Sequence, residues 1–86
     1  MVSPEEIKLP TDIEQLACCY VFLDEAVASI WRTYIDYYTD KRASPARANV
    51  LRVVFNEIEF YEIILTRILS AVTMDEIHEA RKKYGL

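Results

Sequence analysis

The chain has few of the residues that tight turns, metal sites and disulfide frameworks need. Its 86 residues include one glycine, three prolines, two cysteines and one histidine. β-Sheet proteins place glycine and proline at their many corners, so this composition favours long helices. Cys18 and Cys19 are adjacent and would point about 100° apart on a helix, which disfavours a bond between them. We therefore expect neither a disulfide framework nor a zinc site of about four ligands.

Long apolar segments are also absent. The longest charge-free apolar run, residues 17–23, ends at Asp24, whereas a membrane-spanning helix needs roughly 20 apolar residues. The first residues, Met-Val-Ser-Pro-Glu-Glu, lack the basic start and apolar core of a signal peptide. We expect an intracellular, cytoplasmic protein with no membrane contact, and a length of 86 residues predicts a single domain over 1–86.

Sequence patterns typical of helix ends divide the chain into segments. Thr11-Asp12-Ile13-Glu14 and Thr73-Met74-Asp75-Glu76 have the form of capping boxes, Ser44 precedes a proline, and Gly85 follows a basic segment. These signals predict a short turn at about 4–8 and helices at about 12–40, 45–71 and 74–84. Because the two long helices have a short connection, we expect an antiparallel helical hairpin plus a short C-terminal helix.

Apolar residues recur at alternating spacings of three and four along both long helices, which predicts a seam by which the helices pair. The seam residues are Leu16, Tyr20, Leu23, Val27, Ile30, Tyr34 and Tyr37 on the first helix and Leu51, Val54, Ile58, Tyr61, Leu65, Ile68 and Val72 on the second. Further apolar residues widen the sector on the second helix to roughly 220°, beyond the ~100° stripe that one contact needs.

Apolar surface in excess of one contact predicts an interface. The residues expected to face outward and form it are Phe22, Trp31, Val53, Phe60 and Ile64. A second copy would cover them in a four-helix bundle, as a homodimer, and a larger protein partner could cover them instead. We expect a non-enzymatic protein–protein interaction module, acting as a small adaptor, regulator or inhibitor, with no catalytic residues and no cofactor.

A basic segment supports an alternative function. Residues 41–56 contain Lys41, Arg42, Arg47 and Arg52 and no acidic residue, although the whole chain has a net charge of −4. Aromatic residues precede this segment, and such a combination can stack bases and contact phosphates. A nucleic-acid-binding regulator that uses the turn at 41–52 is therefore the alternative, less favoured because the whole chain is acidic.

Two acidic residues interrupt the apolar sectors and suggest a third possibility. In an antiparallel hairpin Asp24 and Glu57 would lie at similar height, where two carboxylates could bind a metal in a helical bundle. The usual Glu-x-x-His spacing is missing, because His78 has glutamates two residues before it and one after it. We expect no metal site, and Asp24 and Glu57 to reach water, a tyrosine hydroxyl or an arginine.

Overall fold

The structure is a computed structural model in which the regular secondary structure of the described residues is helical. It describes residues 2–39 and 45–86, with side chains for 2–36 and 48–86. Three helices follow one another in the chain: α1 (Ile13–Thr39), α2 (Pro45–Leu69) and α3 (Met74–Tyr84). These described residues contain no strand. The all-α class is confirmed, and every helix end lies within two residues of its predicted position.

The ends of α3 follow the predicted chemistry. The Glu76 N–H donates to the Thr73 hydroxyl at 3.3 Å, and the Thr73 N–H donates to the Glu76 carboxylate at 2.8 Å, which completes a capping box. At the other end Gly85 has φ +68°, a left-handed conformation that glycine adopts without a Cβ clash. Local sequence alone therefore accounts for where this helix begins and ends.

The first turn of α1 differs from the prediction. Asp12, rather than Thr11, caps the helix: its carboxylate accepts from the Gln15 N–H at 3.0 Å, and its carbonyl accepts from the Leu16 N–H at 2.9 Å. Aspartate is the stronger N-cap of the two, and its negative charge is favourable at the positive end of the helix dipole. The predicted capping box of Thr11 with Glu14 was therefore wrong by one position. The Ser44 cap predicted for α2 lies outside the described residues.

The core forms where α1 packs against both α2 and α3. Its buried cluster comprises Leu16, Ala17, Val21, Ile64, Ile68, Val72, Ile77 and Ala80. The predicted seam residues of the long helices are buried or half-buried, apart from Tyr37, whose side chain lies outside the described residues. The heptad pattern therefore identified the inward side of α1 and α2.

A segment before α1 covers part of the core. Residues 4–6 form a turn in which the Glu6 N–H donates to the Ser3 carbonyl at 3.0 Å. Ile7 and Leu9 pack against the buried cluster, and Arg67 of α2 donates to the Pro4 carbonyl at 2.7 Å. We call residues 3–10 the N-terminal strap. It supplies apolar cover that the helices alone do not provide.

The core occupies only one half of the long helices. Among the side chains that the structure describes, the buried residues of α1 end at Val27 and those of α2 begin at Ile58. We define the distal half as residues 28–36 of α1 and 48–57 of α2, and none of its described side chains is buried. α3 and the strap lie at the other end. Two helices alone cannot enclose a side chain on all sides, so the distal half lacks a core of its own.

The shape of the chain reflects this uneven cover. Its radius of gyration is 15.4 Å, whereas a compact domain of this length has about 12 Å. The dimensions are 45 × 31 × 15 Å, so the thinnest direction is no more than two packed helices deep. The chain is therefore more extended than a domain that has buried its apolar surface fully.

Candidate interaction surface

An apolar groove runs between α1 and α2 next to the strap. Its volume is 570 Å³, and its lining residues are Lys8, Leu9, Pro10, Cys18, Cys19, Phe22, Leu23, Ala26, Ile64 and Ile68. Leu9 and Pro10 belong to the strap, and Ala26 is the lining residue of α1 that lies nearest the distal half.

Helix geometry extends this groove into a longer face. At 100° per residue, Ile30 lies within about 40° of Ala26 on α1, and Phe60, Val53 and Val50 lie within about 40° of Ile64 on α2. We call Phe22, Ala26, Ile30, Val50, Val53 and Phe60 the open face. All six are exposed or half-buried. Val53 is 64% exposed, the largest value among the large apolar side chains of the distal half.

The open face carries little charge. Its α1 side continues through Cys19, Ser29 and Thr33, all uncharged, and its α2 side is interrupted by Glu57. The Tyr61 hydroxyl donates to the Glu57 carboxylate at 3.0 Å, and this hydrogen bond to an anion raises the pKa of Tyr61. A surface that is apolar and almost uncharged favours contact with another apolar surface over contact with phosphates.

Three of the five residues predicted for an interface belong to this face. Val53 is exposed, Phe22 is 50% exposed with its ring 4.9 Å from that of Tyr84, and Phe60 is half-buried against Tyr61. Phe60 thus packs against the core, Phe22 contacts Tyr84 of α3, and Val53 lies in the distal half. The contacts of Phe22 with α3 were not predicted, because they depend on where α3 docks.

The other two predicted residues occupy different positions. Trp31 is half-buried on another side of α1, where its indole N–H donates to Glu62 at 3.4 Å and its ring contacts Tyr34 edge to face. Ile64 is only 7% exposed and belongs to the core. The outward position expected for Ile64 was wrong, because Ile64 belongs to the buried cluster, against which Ile7 and Leu9 of the strap also pack.

A second group of exposed apolar residues lies near Trp31. Ile35 is 53% exposed and Phe55 is 40% exposed, and the Phe55 ring is 6.1 Å from that of Tyr34. Phe55 was not among the residues expected at an interface. The sequence did contain a signal for Phe55. It comes three residues before Ile58 and therefore lies about 60° from it around the helix. The distal half therefore exposes apolar side chains on more than one side.

The two acidic residues considered for a metal have separate structural partners. Arg81 of α3 donates to Asp24 at 2.6 Å and approaches Glu25 at 3.5 Å, and the hydrogen bond to Asp24 raises the pKa of Arg81. Glu57 is bound by Tyr61 instead. Within residues 2–36 and 48–86, no three His, Cys, Asp or Glu side chains are grouped as a metal ion requires. The structure gives Asp24 and Glu57 an arginine and a tyrosine as partners, two of the groups considered for them.

The structure describes only part of the basic segment at residues 41–56. Lys41 and Arg42 lie outside the described residues, as does the side chain of Arg47. Arg52 is described and exposed, and it points about 100° away from Val53 around α2. The prediction of a nucleic-acid contact thus stays a prediction for this segment.

No helix in the described part of the chain is long and apolar enough to cross a membrane. Comparison with protein-family models, with curated proteins and with solved structures finds no match for this chain.

Proposed function

We propose that this chain is a non-enzymatic protein–protein interaction module that binds through its open face. The observation that carries the proposal is the absence of any buried side chain among the described residues of the distal half, where Val53 is exposed and Ile30 is only half-buried. A large apolar surface that a chain cannot cover by itself is typical of an interaction site. The role is that of a small adaptor, regulator or inhibitor.

The energetics support this use of the face. Burial of a large apolar side chain contributes about 1.5–3 kcal/mol relative to leaving it in water. Val53, Val50 and Phe22 each retain at least two fifths of their surface exposed. Covering several such side chains would gain more than an exposed ion pair, which contributes about 0–1 kcal/mol. A partner that covers the open face is therefore held mainly by apolar contact.

The arrangement of the long helices as an antiparallel hairpin is part of the proposal. Leu16, near the start of α1, shares a cluster with Val72, which follows α2. Tyr34, near the end of α1, approaches Phe55 in the first half of α2. Both pairings support opposite chain directions, which place the distal parts of the two helices side by side as one binding surface.

We propose that the chain is not an enzyme because its potentially reactive side chains have structural hydrogen-bond partners. Lys83 donates to Glu14 at 2.6 Å, which raises the pKa of Lys83, and the Cys18 thiol donates to the Tyr84 hydroxyl at 3.6 Å. Asp24 and Glu57 have the partners described above. These groups hold α3 against α1 or support the surface of α2, which supports a structural use for them.

A photo-reactive amino acid at position 53 tests the proposal. Introduced into the full chain in the cells that make it and activated by light, it should form covalent adducts with protein. The matched control is position 63, because Ile63 is another exposed β-branched residue of α2 that lies off the open face, beside Glu59 and Thr66. Adducts with nucleic acid at position 53 would support the alternative function. Equal labelling of protein from both positions would contradict an interaction through this face.

A further inference from the structure

We propose that the N-terminal strap is an autoinhibitory lid, which must open before a partner can cover the groove where the open face meets the core. This inference rests on the proposed function, and it names how binding through the open face is regulated. Three residues of the strap and two of the open face line this one groove: Lys8, Leu9, Pro10, Phe22 and Ala26. The strap and a partner on the open face therefore compete for the same apolar surface.

The strap is attached to the helices by few contacts. None of its residues is buried, and Ile7 and Leu9 are half-buried where they pack against the core. One hydrogen bond, from the Arg67 guanidinium to the Pro4 carbonyl at 2.7 Å, joins the strap to the described residues of the helices. The turn within the strap keeps its own backbone hydrogen bond when the strap opens. Contacts of this number favour the closed form by about a hundred to ten thousand to one.

The C-terminal helix is held more firmly, so the strap should be the first of the two to open. Two residues of α3, Ile77 and Ala80, are buried in the core. Two more, Arg81 and Lys83, form ion pairs with acidic residues of α1. Segments with the fewest buried contacts open most easily, and the strap has none.

The joint between the strap and α1 allows opening without damage to the helix. The carboxylate and carbonyl of Asp12 cap α1 by accepting from the N–H groups of Gln15 and Leu16, and neither bond involves the strap. Pro10 has no N–H that could lose a partner when the chain moves. Rotation of the backbone at Thr11 can therefore swing the strap away while α1 keeps its first turn.

Opening makes more of the groove available to a partner. Of its ten lining residues, three belong to the strap and seven to α1 and α2. Two of those seven, Ile64 and Ile68, are core residues that are at most 7% exposed. Ile64 lies about 16 Å along α2 from Val53 and within about 20° of it around the helix. A partner that covers Val53 can therefore continue along α2 to Ile64 once the strap has left.

Competition with the strap sets the apparent affinity of the face. If only the open form binds fully, the apparent dissociation constant exceeds the intrinsic one by the inverse of the open fraction. A variant that loosens the strap tenfold should then bind its partner about tenfold more tightly.

Trypsin cleavage after Lys8 in the folded full chain measures the opening. Lys8 is exposed, but a protease must draw several neighbouring residues away from the fold before it can cut. The bond should be cut about a hundred to ten thousand times more slowly than in a free peptide of residues 2–14. Arg67→Gln, which removes the hydrogen bond to Pro4, should speed this cleavage about tenfold. Arg67→Lys keeps a cationic donor and should recover most of the protection.

Two controls separate opening of the strap from unfolding of the whole chain. Cleavage after Arg81, within α3, is the internal standard. Arg52→Gln is the matched variant, because Arg52 is an exposed arginine of α2 in the distal half, and it should leave cleavage after Lys8 unchanged. Wild-type cleavage after Lys8 within about tenfold of the free peptide would overturn the proposal, since the strap would not be closed. Equal acceleration after Lys8 and Arg81 in Arg67→Gln would overturn it too.

Photo-crosslinking from position 53 connects the opening with binding. When the partner is limiting, Arg67→Gln should raise the yield of protein adducts about threefold or more, and Arg67→Lys should not. If Arg67→Gln speeds cleavage after Lys8 but leaves the adduct yield unchanged, the lid does not control binding, and this inference is wrong while the proposed function stands. If position 53 never gives more protein adducts than position 63, the proposed function is wrong and its regulation with it. Circular dichroism establishes that each variant is folded.

Discussion

Replacing Ile77 by alanine should show how much the docking of α3 contributes to the fold. Ile77 is 1% exposed, and it and Ala80 are the buried residues of α3. The change removes buried methyl and methylene groups and leaves a cavity against α1, and Ile→Ala substitutions of this kind cost about 2–5 kcal/mol. A chain of 86 residues has about 4–13 kcal/mol of stability in total. A loss of about 3 kcal/mol is therefore a large share of it.

Thermal and urea unfolding followed by circular dichroism would measure this loss. For a domain of this size, about 3 kcal/mol corresponds to a decrease in Tm of roughly 12–24 °C. Met74→Ala is the matched control, because Met74 belongs to the same helix but is mostly exposed, and its effect should stay within about 0.5 kcal/mol. All samples need the same protein concentration, since any association between copies would stabilise the folded state. Equal losses for Ile77→Ala and Met74→Ala would refute the docking of α3 through Ile77.

Three smaller perturbations test individual contacts. A double-mutant cycle with Arg81→Ala and Asp24→Ala should give a coupling of about 0.5–1 kcal/mol in urea unfolding, because the Asp24 carboxylate is 39% exposed and solvent screens the pair. Thr73→Ala should lower the free energy of unfolding by about 1 kcal/mol, since it removes the N-cap of α3. Glu57→Gln should lower the pKa of Tyr61 toward its ordinary value of 10.0 in a phenolate absorbance titration, because the hydrogen bond to the carboxylate raises it. Since the folded-state pKa of Tyr61 is raised, its contribution to stability is complete below about pH 10 and is lost as the pH rises through that pKa.

Each of these perturbations has a control in the same chain. The Lys82–Glu79 pair is exposed on both sides, so its double-mutant cycle should give a smaller coupling than that of Arg81 with Asp24. Thr66 donates its hydroxyl to the Glu62 carbonyl within α2 and caps nothing, so Thr66→Ala should be nearly neutral. Glu59→Gln leaves the acceptor of Tyr61 in place and should not move its titration. If the coupling energy between Glu79 and Lys82 equalled that between Asp24 and Arg81, this result would contradict the structural role of Arg81.

Local sequence determined the helices of this protein. The scarcity of glycine and proline, the Thr73 capping box and Gly85 predicted the all-α class and the bounds of α3, because caps and turns depend on residues within one helical turn. The three-four spacing predicted which side of α1 and α2 faces inward. These signals are short in range, and no contact between distant parts of the chain is needed to produce them.

Tertiary structure decided which apolar residues stay exposed. Ile64 and Val53 have similar positions around α2, yet Ile64 is in the core and Val53 is in the distal half. The difference lies in their surroundings: Ile64 belongs to the cluster on which the strap, more than 50 residues earlier in the chain, also packs, and Val53 does not. Asp24 likewise meets Arg81 across 57 positions. Side-chain periodicity gives the direction of each residue on its helix, but only the packing of separate segments decides what lies in that direction.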